Sequence, residues 1–203
     1  MLRTSDFLMP RILTLASASP RRKQLLEMLG LPIRVEPSHI PEAPLPRETP
    51  LAYSKRLARE KARAVPGEYV LGADTIVVLD EHLLEKPSDA DDAVRMLSLL
   101  QGRTHEVISS VALAHNGAEQ VLTDITKVTF RPADEAYLRA YVATGEPMDK
   151  AGAYGIQGYG AALVEKVEGD FFGVMGLPVR LVLELLEGAG WQYRFERQGQ
   201  REV

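Results

Sequence analysis

Residues 11–30 read RILTLASASPRRKQLLEMLG, and this stretch indicates a short buried strand that leads directly into a helix. Arg11–Ser17 is apolar and of the length expected for a buried strand. Ser19 is a suitable helix N-cap, Pro20 suits the first helical position, and Gly30 can end the helix. The residues that join strand to helix are small, so an anion can come close to the free backbone N–H groups of the helix N-terminus.

The rest of the chain continues the alternation of strands and helices and then changes to a hairpin around Asn116-Gly117, a strong turn signal. Strands are predicted at 33–36, 69–73, 75–79, 105–114, 120–130 and 161–167, and helices at 50–65, 88–100, 132–143 and 177–186. The two segments 69–73 and 75–79 are expected to be one strand broken or bent at residues 72–74. This pattern predicts one α/β domain over residues 1–203, with a mixed sheet, flanking helices and flexible ends at 1–10 and 192–203.

Composition narrows the class of protein. The chain has 203 residues, of which 45% are hydrophobic, and this is too apolar for a disordered protein. It has no cysteine, which excludes a disulfide scaffold, a thiolate nucleophile and a cysteine-ligated metal, and favours a cytoplasmic protein. No apolar run approaches the roughly 20 residues of a membrane-spanning helix, so no membrane association is expected.

The net charge of −4 is an average over two basic clusters and an acidic remainder. Residues 19–23 carry a net charge of +3 and residues 55–63 a net charge of +4, which leaves −11 for the rest of the chain. An acidic body argues against a protein that binds nucleic acid without sequence preference, because such binding needs a broad cationic surface.

Two segments offer groups for phosphate chemistry. Ser17 lies before the first helix and Arg21 and Arg22 within its first turn, where arginines can hold a phosphate bidentately; an ordinary capped helix with solvated arginines explains the same residues equally well. Asp74, followed by Thr75, interrupts an apolar strand and could ligate a metal or accept a proton from water; a carboxylate in a turn is the simpler alternative.

The glycine-rich segment 145–176 holds half of the 16 glycines. Within it, Gln157 offers a donor and an acceptor for a nucleobase edge, and Tyr154 could stack or pack. Glycines allow a backbone to approach a ligand closely, which favours a ligand loop over a compact loop folded on itself. Elsewhere, Lys86 on the turn before Pro87 could reach a phosphate, or could simply balance the acidic residues around it.

Taken together, these segments resemble the Maf nucleotide pyrophosphatases. The matching stretches are LASASPRR (15–22), LAREKA (57–62), GADTIV (72–77), LEKP (84–87), GRTHEV (102–107), DKAGAYGIQG (149–158) and VMGLP (174–178). The form AGAYGIQG is similar to the branch that acts on dTTP and UTP. The resemblance implies an inosine-triphosphatase-like fold with two lobes around a cleft, a homodimer, and cleavage of a nucleoside triphosphate into the monophosphate and pyrophosphate.

The resemblance also assigns roles by motif position. Asp74 matches the proton acceptor for the attacking water, and a divalent cation, Mg²⁺ or Mn²⁺, is implied with Asp74 and Glu42 as its ligands. Many relatives have an acidic pair where this chain reads His39-Ile40-Pro41-Glu42, so Glu42 alone remains of that pair. Arg21, Thr75 and Gln157 match positions associated with substrate choice, and the surrounding polar site comprises Ser17, Arg22, Lys61 and Lys86.

Two other functions use the same residues. A nucleotide-binding regulator of cell division would bind nucleotide in this pocket without releasing pyrophosphate, and a broader pyrophosphatase would act on modified or non-standard nucleotides. The charge distribution disfavours a third function, nucleic-acid binding through the basic clusters.

Overall fold

A mixed sheet of seven strands forms the centre of the protein, which a computed structural model describes over residues 11–195. The strands are β1 (Leu13–Leu15), β2 (Ile33–Val35), β3 (Tyr69–Leu79), β4 (His82–Leu84), β5 (Thr104–His115), β6 (Ala118–Phe130) and β7 (Val164–Glu168). Their order is β2-β1-β3-β5-β6-β7, with β4 paired to β3 as a side branch. Strands β2, β1 and β3 run parallel, and the remaining pairs are antiparallel. The predicted α/β fold with a mixed sheet is confirmed.

Six helices flank this sheet in the described part of the chain. They are α1 (Pro20–Met28), α2 (Pro50–Arg63), α3 (Ala90–Leu100), α4 (Glu135–Val142), α5 (Phe171–Met175) and α6 (Val179–Gly188). Ser19 caps α1 as predicted, its Oγ accepting from Arg22 N, and Thr49 caps α2 in the same way from Ala52 N. None of these helices is long and apolar enough to cross a bilayer.

The pairing of strand β3 with its neighbours determines where a cleft can form. One edge of β3 pairs with β5 along most of its length, whereas the other edge pairs with β1 only over Tyr69–Leu71 and with β4 only over Val77–Leu79. Between these two partners, residues 72–76 face no strand on that edge among residues 11–195. Side chains from both faces of β3 can therefore reach a common space beyond the carboxyl end of β1, where open α/β sheets place their ligands.

Two apolar clusters lie on one face of the sheet, on either side of this gap. Leu71 and Ala73 of β3 belong to the cluster under α1 and α6, and Val77 and Leu79 belong to the cluster under α3 and α4. Alternate residues of a strand share a face, so Thr75 lies on this face between the two clusters. Helix α2 covers the opposite face, with Leu57 packed in a third cluster.

Several predicted boundaries were wrong. Helix α3 begins at Ala90 with Asp89 as its cap, because the Asp89 carboxylate accepts from Asp92 N and takes the position predicted for Ser88. Helix α4 begins at residue 135 and not 132, since Asp134 is the capping residue. Strand β7 begins at residue 164 and not 161, because residues 159–163 form a 3₁₀ turn. Helix α5 was not predicted.

The flexibility expected at the two ends of the chain stays a prediction. Residues 1–10 and 196–203, expected to be flexible, lie outside the described residues. Within the predicted flexible range 192–203, Tyr193 donates its hydroxyl to the carbonyl of Leu29 at 3.0 Å.

Strand β3 is continuous, in contrast to the predicted break at residues 72–74. Asp74 pairs in register with Ser110 of β5 in the middle of the strand. Gly72, which suggested the break, is required for a different reason. A Cβ built on it would lie 2.1 Å from the carbonyl oxygen of Ala58 and 2.6 Å from the nitrogen of Ala62, both in α2. Gly72 thus allows the helix backbone to lie directly on the strand.

We expect Gly72→Ala to lower the free energy of unfolding by about 2 kcal/mol or more, because α2 has to move away from β3. Gly188→Ala is the matched control, since its Cβ would meet only the end of Gln120 at 3.5 Å, and we expect a change within about 0.5 kcal/mol. Urea unfolding followed by circular dichroism measures both. Equal stability of the two variants would contradict the close contact.

Candidate active site

A cleft of about 520 Å³ opens at the gap beside β3. It is bounded by the N-terminus of α1, the loop after β2, the middle of β3, the turn after β4 and the glycine-rich segment. All the site residues predicted from the sequence line it: Ser17, Arg21, Arg22, Glu42, Lys61, Asp74, Thr75, Lys86 and Gln157. The structure brings them together from segments up to 140 residues apart in the chain, while their roles stay predictions.

Lys61 is the central cation of the cleft. It is 6% exposed, and its Nζ contacts Asp74 Oδ1 at 2.9 Å and Glu42 Oε1 at 3.0 Å. The two carboxylates are therefore neighbours, although Asp74 is buried and Glu42 is half exposed. A lysine buried to this extent needs such partners, since an unpaired buried charge is costly.

The second oxygen of Asp74 has no protein partner. Asp74 is 4% exposed, and its Oδ2 is buried without a hydrogen bond to any described residue. A buried acceptor without a partner costs free energy, and in a native protein it commonly marks a site for water, an ion or a ligand. Asp74 lines the cleft, so this buried oxygen keeps an unused capacity to accept a hydrogen bond beside the space where a ligand would bind.

Arg22 extends from α1 across the cleft to the segment after α5. Its guanidinium donates to Gly176 O at 2.9 Å, to Ser17 Oγ at 3.1 Å and to Thr75 Oγ1 at 3.4 Å. Burial lowers the pKa of this guanidinium, while the charges of Asp74 and Glu42 act in the opposite direction. All three hydrogen-bond partners are neutral, so a bound anion would supply a favourable charge interaction that the protein does not provide at hydrogen-bond distance.

Thr75 is fixed by a residue that the sequence did not reveal as part of the site. The Thr75 hydroxyl lies 2.9 Å from Ser109 Oγ and 3.2 Å from Gly176 O, and Ser109 in turn donates to Gly173 O at 2.7 Å. Ser109 is completely buried. Nothing in its local sequence distinguishes it from the many serines found in strands, because its role follows only from the pairing of β3 with β5.

Lys86 is exposed at the cleft, and its turn is anchored from two sides. The preceding residue, Glu85, accepts from the hydroxyl of Tyr53 at 2.9 Å, and its carbonyl accepts from Gly152 N at 3.1 Å. Tyr53 was also missed, although a signal existed. Tyr53, Leu57 and Lys61 are four residues apart on α2, so they share one face and are all buried.

The two basic clusters supply only part of their charge to the cleft. Arg56 pairs with Glu48 and Glu60, and Arg59 and Arg63 pair with Glu119. These pairs lie along α2 outside the cleft. Lys61 is the exception in this cluster, because it lies on the buried face of the helix. In the first cluster, Arg21 contacts Asp149 at 3.1 Å across the cleft.

The glycine-rich segment holds Gln157 exposed at the cleft and anchors the residues before it in the core. Ile156 and Tyr154 are buried, and the Tyr154 hydroxyl lies 2.8 Å from His105 Nε2. His105 thus anchors this core and does not line the cleft. Tyr154 also touches the cleft wall, but its ring packs edge-to-face on Phe130.

A metal ion would find two carboxylates in this cleft. Among residues 11–195 no cluster of three or more histidine, aspartate or glutamate residues has the geometry of a metal site. Asp74 and Glu42 are nevertheless suited to Mg²⁺ or Mn²⁺, which bind through one or two carboxylates and complete their coordination with substrate phosphates and water. The unpartnered Oδ2 of Asp74 is a suitable ligand atom for either cation.

The sequence of this chain matches one family over nearly all the described residues. Residues 12–189 match the profile of the Maf-like proteins, and the chain belongs to this family. The resemblance found from the motifs is thereby confirmed.

Individual relatives of known name are similar over almost their whole length. A dTTP/UTP pyrophosphatase of Koribacter versatilis (strain Ellin345) is 50% identical over 182 residues, which cover 88% of this chain and 94% of that protein. One of Moorella thermoacetica (strain ATCC 39073 / JCM 9320) is 52% identical, covering 86% and 93%. Another, of Anaeromyxobacter dehalogenans (strain 2CP-1 / ATCC BAA-258), is 50% identical, covering 91% and 97%.

The buried His105 should make stability depend on pH. Burial lowers the pKa of His105 to about 4, whereas an unfolded histidine titrates near 6.5. As pH falls from about 6.5 to about 4, the unfolded chain gains a proton that the folded protein does not. We therefore expect His105 to remove up to about 3 kcal/mol of stability over this range.

Urea unfolding at pH 7.5 and pH 5.0 measures this contribution. His105→Gln does not titrate and should show a smaller loss between the two pH values than the natural protein does. His82 is exposed, so His82→Gln is the matched control and should behave like the natural protein. The same pH dependence in all three proteins would contradict the role given to burial.

Proposed function

We propose that this protein is a nucleoside triphosphate pyrophosphatase that hydrolyses dTTP and UTP to the monophosphate and pyrophosphate. The observation that carries the proposal is Asp74, whose buried Oδ2 has no hydrogen-bond partner among residues 11–195 and which lines the same cleft as Lys61 and Arg22. The names of the relatives support the choice of substrates. Action on modified pyrimidine nucleotides is a further part of this proposal.

The cations of the cleft would hold the triphosphate. Arg22 lies at the N-terminus of α1, where the helix dipole also favours negative charge, and Lys86 reaches the cleft from the turn after β4. Lys61 lies deeper, beside the two carboxylates. Because cleavage of a phosphoanhydride depends mainly on positioning and on neutralising the phosphate oxygens, these residues can supply most of what the protein has to contribute.

Asp74 would activate the attacking water. Its free Oδ2 can accept a proton from a water molecule, whose oxygen then forms a bond to the α-phosphorus as the bond from that phosphorus to the bridging oxygen breaks. The bridging oxygen leaves with pyrophosphate. Lys61 holds the other oxygen of this carboxylate at 2.9 Å and so fixes its orientation throughout the step.

A divalent cation would be held by Asp74 and Glu42. When bound with the substrate, Mg²⁺ or Mn²⁺ would offset the negative charge of the phosphates. Lys61 contacts both carboxylates and limits the charge repulsion between them. The closeness of the two carboxylates, both within 3.0 Å of Lys61 Nζ, supports this assignment.

Gln157, Thr75 and Arg21 would discriminate among substrates. Gln157 is exposed at the cleft and can donate and accept at once, which suits the alternating donor and acceptor edge of thymine or uracil. Thr75 is held by Ser109 and the Gly176 carbonyl. We also propose that the protein is a cytoplasmic homodimer; both properties stay predictions.

Pyrophosphate release across a panel of triphosphates tests the proposed reaction. We expect release from dTTP and UTP with Mg²⁺ or Mn²⁺ present, little release from purine nucleotides, and a strong reduction after chelation of the metal. Asp74→Asn should lose at least ~100-fold in turnover, the usual size of a general-base contribution, while it still binds nucleotide. No release from any nucleotide, with nucleotide binding intact, would favour the regulator instead.

Removing the side chain of Gln157 tests its role separately. We expect Gln157→Ala to reduce the preference for dTTP over CTP, measured as the ratio of kcat/KM values, more than it reduces turnover of dTTP. The exposed side chain makes a folding defect a poor explanation of such a result. An equal loss on every nucleotide would count against base recognition.

A further inference from the structure

The residues that flank Gln157 rest on a buried hydrogen-bonding pair. Tyr141 lies in the last turn of α4, and Glu146 begins the 3₁₀ turn that follows. The Tyr141 hydroxyl donates to Glu146 Oε1 at 2.9 Å. Tyr141 is 6% exposed and Glu146 is half-buried, so the hydrogen bond between them is partly shielded from bulk water.

This pair holds the backbone on both sides of Gln157, in the segment 155–160 that we call the Gln157 loop. On the N-terminal side, Gly155 N donates to the Tyr141 hydroxyl at 3.1 Å. On the C-terminal side, Tyr159 N and Gly160 N donate to the two carboxylate oxygens of Glu146 at 2.7 and 2.9 Å. Tyr141 and Glu146 therefore tie the two ends of the loop to each other.

The glycines of the loop are explained by this contact. A Cβ on Gly158 would lie 2.1 Å from Glu146 Oε2, and a Cβ on Gly160 would lie 2.7 Å from the Tyr141 hydroxyl. A Cβ on Gly155 would meet the Lys150 side chain at 2.8 Å. The sequence suggested that these glycines allow a ligand to approach; here they allow the loop to pack on Glu146, Tyr141 and Lys150.

Glu146 is suited to this task as a carboxylate. Burial acts to raise its pKa, but the N–H groups of Gly160 and Tyr159 and the Tyr141 hydroxyl outweigh burial and keep the pKa below the usual value. An ionised carboxylate only accepts, and all three of its neighbours here donate. Hydrogen bonds to a charged acceptor are also stronger than those between neutral groups.

We propose that Tyr141 and Glu146 are positioning residues for base discrimination, acting through Gln157. They touch the loop backbone and do not line the cleft. A single amide can distinguish one nucleobase edge from another only if its backbone is held in place, since a misplaced hydrogen-bonding group loses most of its selectivity. This inference rests on the proposed function, because it concerns the same site and the same substrates.

Tyr141→Phe removes one hydroxyl and keeps the ring that packs in the core. We expect it to lower the ratio of kcat/KM for dTTP to that for CTP by roughly tenfold, as loss of the two hydrogen bonds that this hydroxyl makes with Glu146 and Gly155 N can do, with kcat for dTTP within about threefold. Glu146→Gln places an amide opposite backbone donors and should lower the ratio further. Tyr137→Phe, on the same helix but exposed, is the matched control and should change nothing.

A double mutant separates positioning from general damage. If Tyr141 acts through Gln157, Tyr141→Phe should change the ratio by less than about twofold once Gln157 is alanine. The proposal would be overturned if Tyr141→Phe lowered the dTTP/CTP ratio by the same factor with and without Gln157. It would also be overturned if kcat/KM fell equally for all nucleotides. Thermal unfolding of each variant identifies any that is simply unstable.

Binding provides a readout that does not need turnover. We would measure Kd for dTTP and CTP by calorimetry in the presence of Ca²⁺. The proteins compared are the natural protein and its variants Tyr141→Phe, Glu146→Gln and Tyr137→Phe. If the natural protein releases no pyrophosphate yet prefers dTTP in binding, the proposed reaction fails and a loss of that preference in Tyr141→Phe still supports positioning. If the natural protein shows no preference between the bases in either assay, both proposals fail.

Discussion

The close contact between helix α2 and strand β3 is the constraint on which the site depends. Gly72 allows the helix backbone to lie on the strand, and this approach places Lys61 at 2.9 Å from Asp74. Burying both charges is costly unless each is paired, so the two residues require each other. Because Lys61 occupies one oxygen of Asp74 and also holds Glu42, the other oxygen of Asp74 stays buried beside the cleft without a hydrogen bond to any residue of 11–195. This buried ion pair thus leaves Asp74 Oδ2 as the one buried carboxylate oxygen without a hydrogen-bond partner among residues 11–195.

The sheet order explains why these groups meet in a cleft. Within residues 11–195, strand β3 has no partner over 72–76 on the edge between β1 and β4, so Asp74 on one face and Thr75 on the other both line the same cleft. The basic side chains divide into those paired on the surface and those that line the cleft. Arg56, Arg59 and Arg63 are neutralised by nearby glutamates, whereas Lys61 and Arg22 turn inward. A small polyanion held in the cleft suits this arrangement better than a long one laid across the surface.

The glycine-rich segment serves the site indirectly. Its N-terminal part is anchored by Tyr154 in the core, and its C-terminal part by Glu146 beneath the loop. Gln157 projects between these two anchors. Gln157 thus lies on a loop whose two ends are hydrogen-bonded to Tyr141 and Glu146, and the glycines supply the space for these contacts. Asp74, proposed to activate water, and Gln157, proposed to discriminate among bases, come from separate segments that line the same cleft.

The amino-acid sequence by itself determined the local elements and the identity of the site. The caps at Ser19 and Thr49, the hairpin at Asn116-Gly117 and the motifs around Asp74 were all readable, because each depends on residues close together in the chain. Only the tertiary structure decided that β3 is unbroken, that Ser109 fixes Thr75, and that Glu146 supports the Gln157 loop. These features depend on strand pairing and on contacts between side chains and distant backbone, and no local pattern records which distant segments will meet.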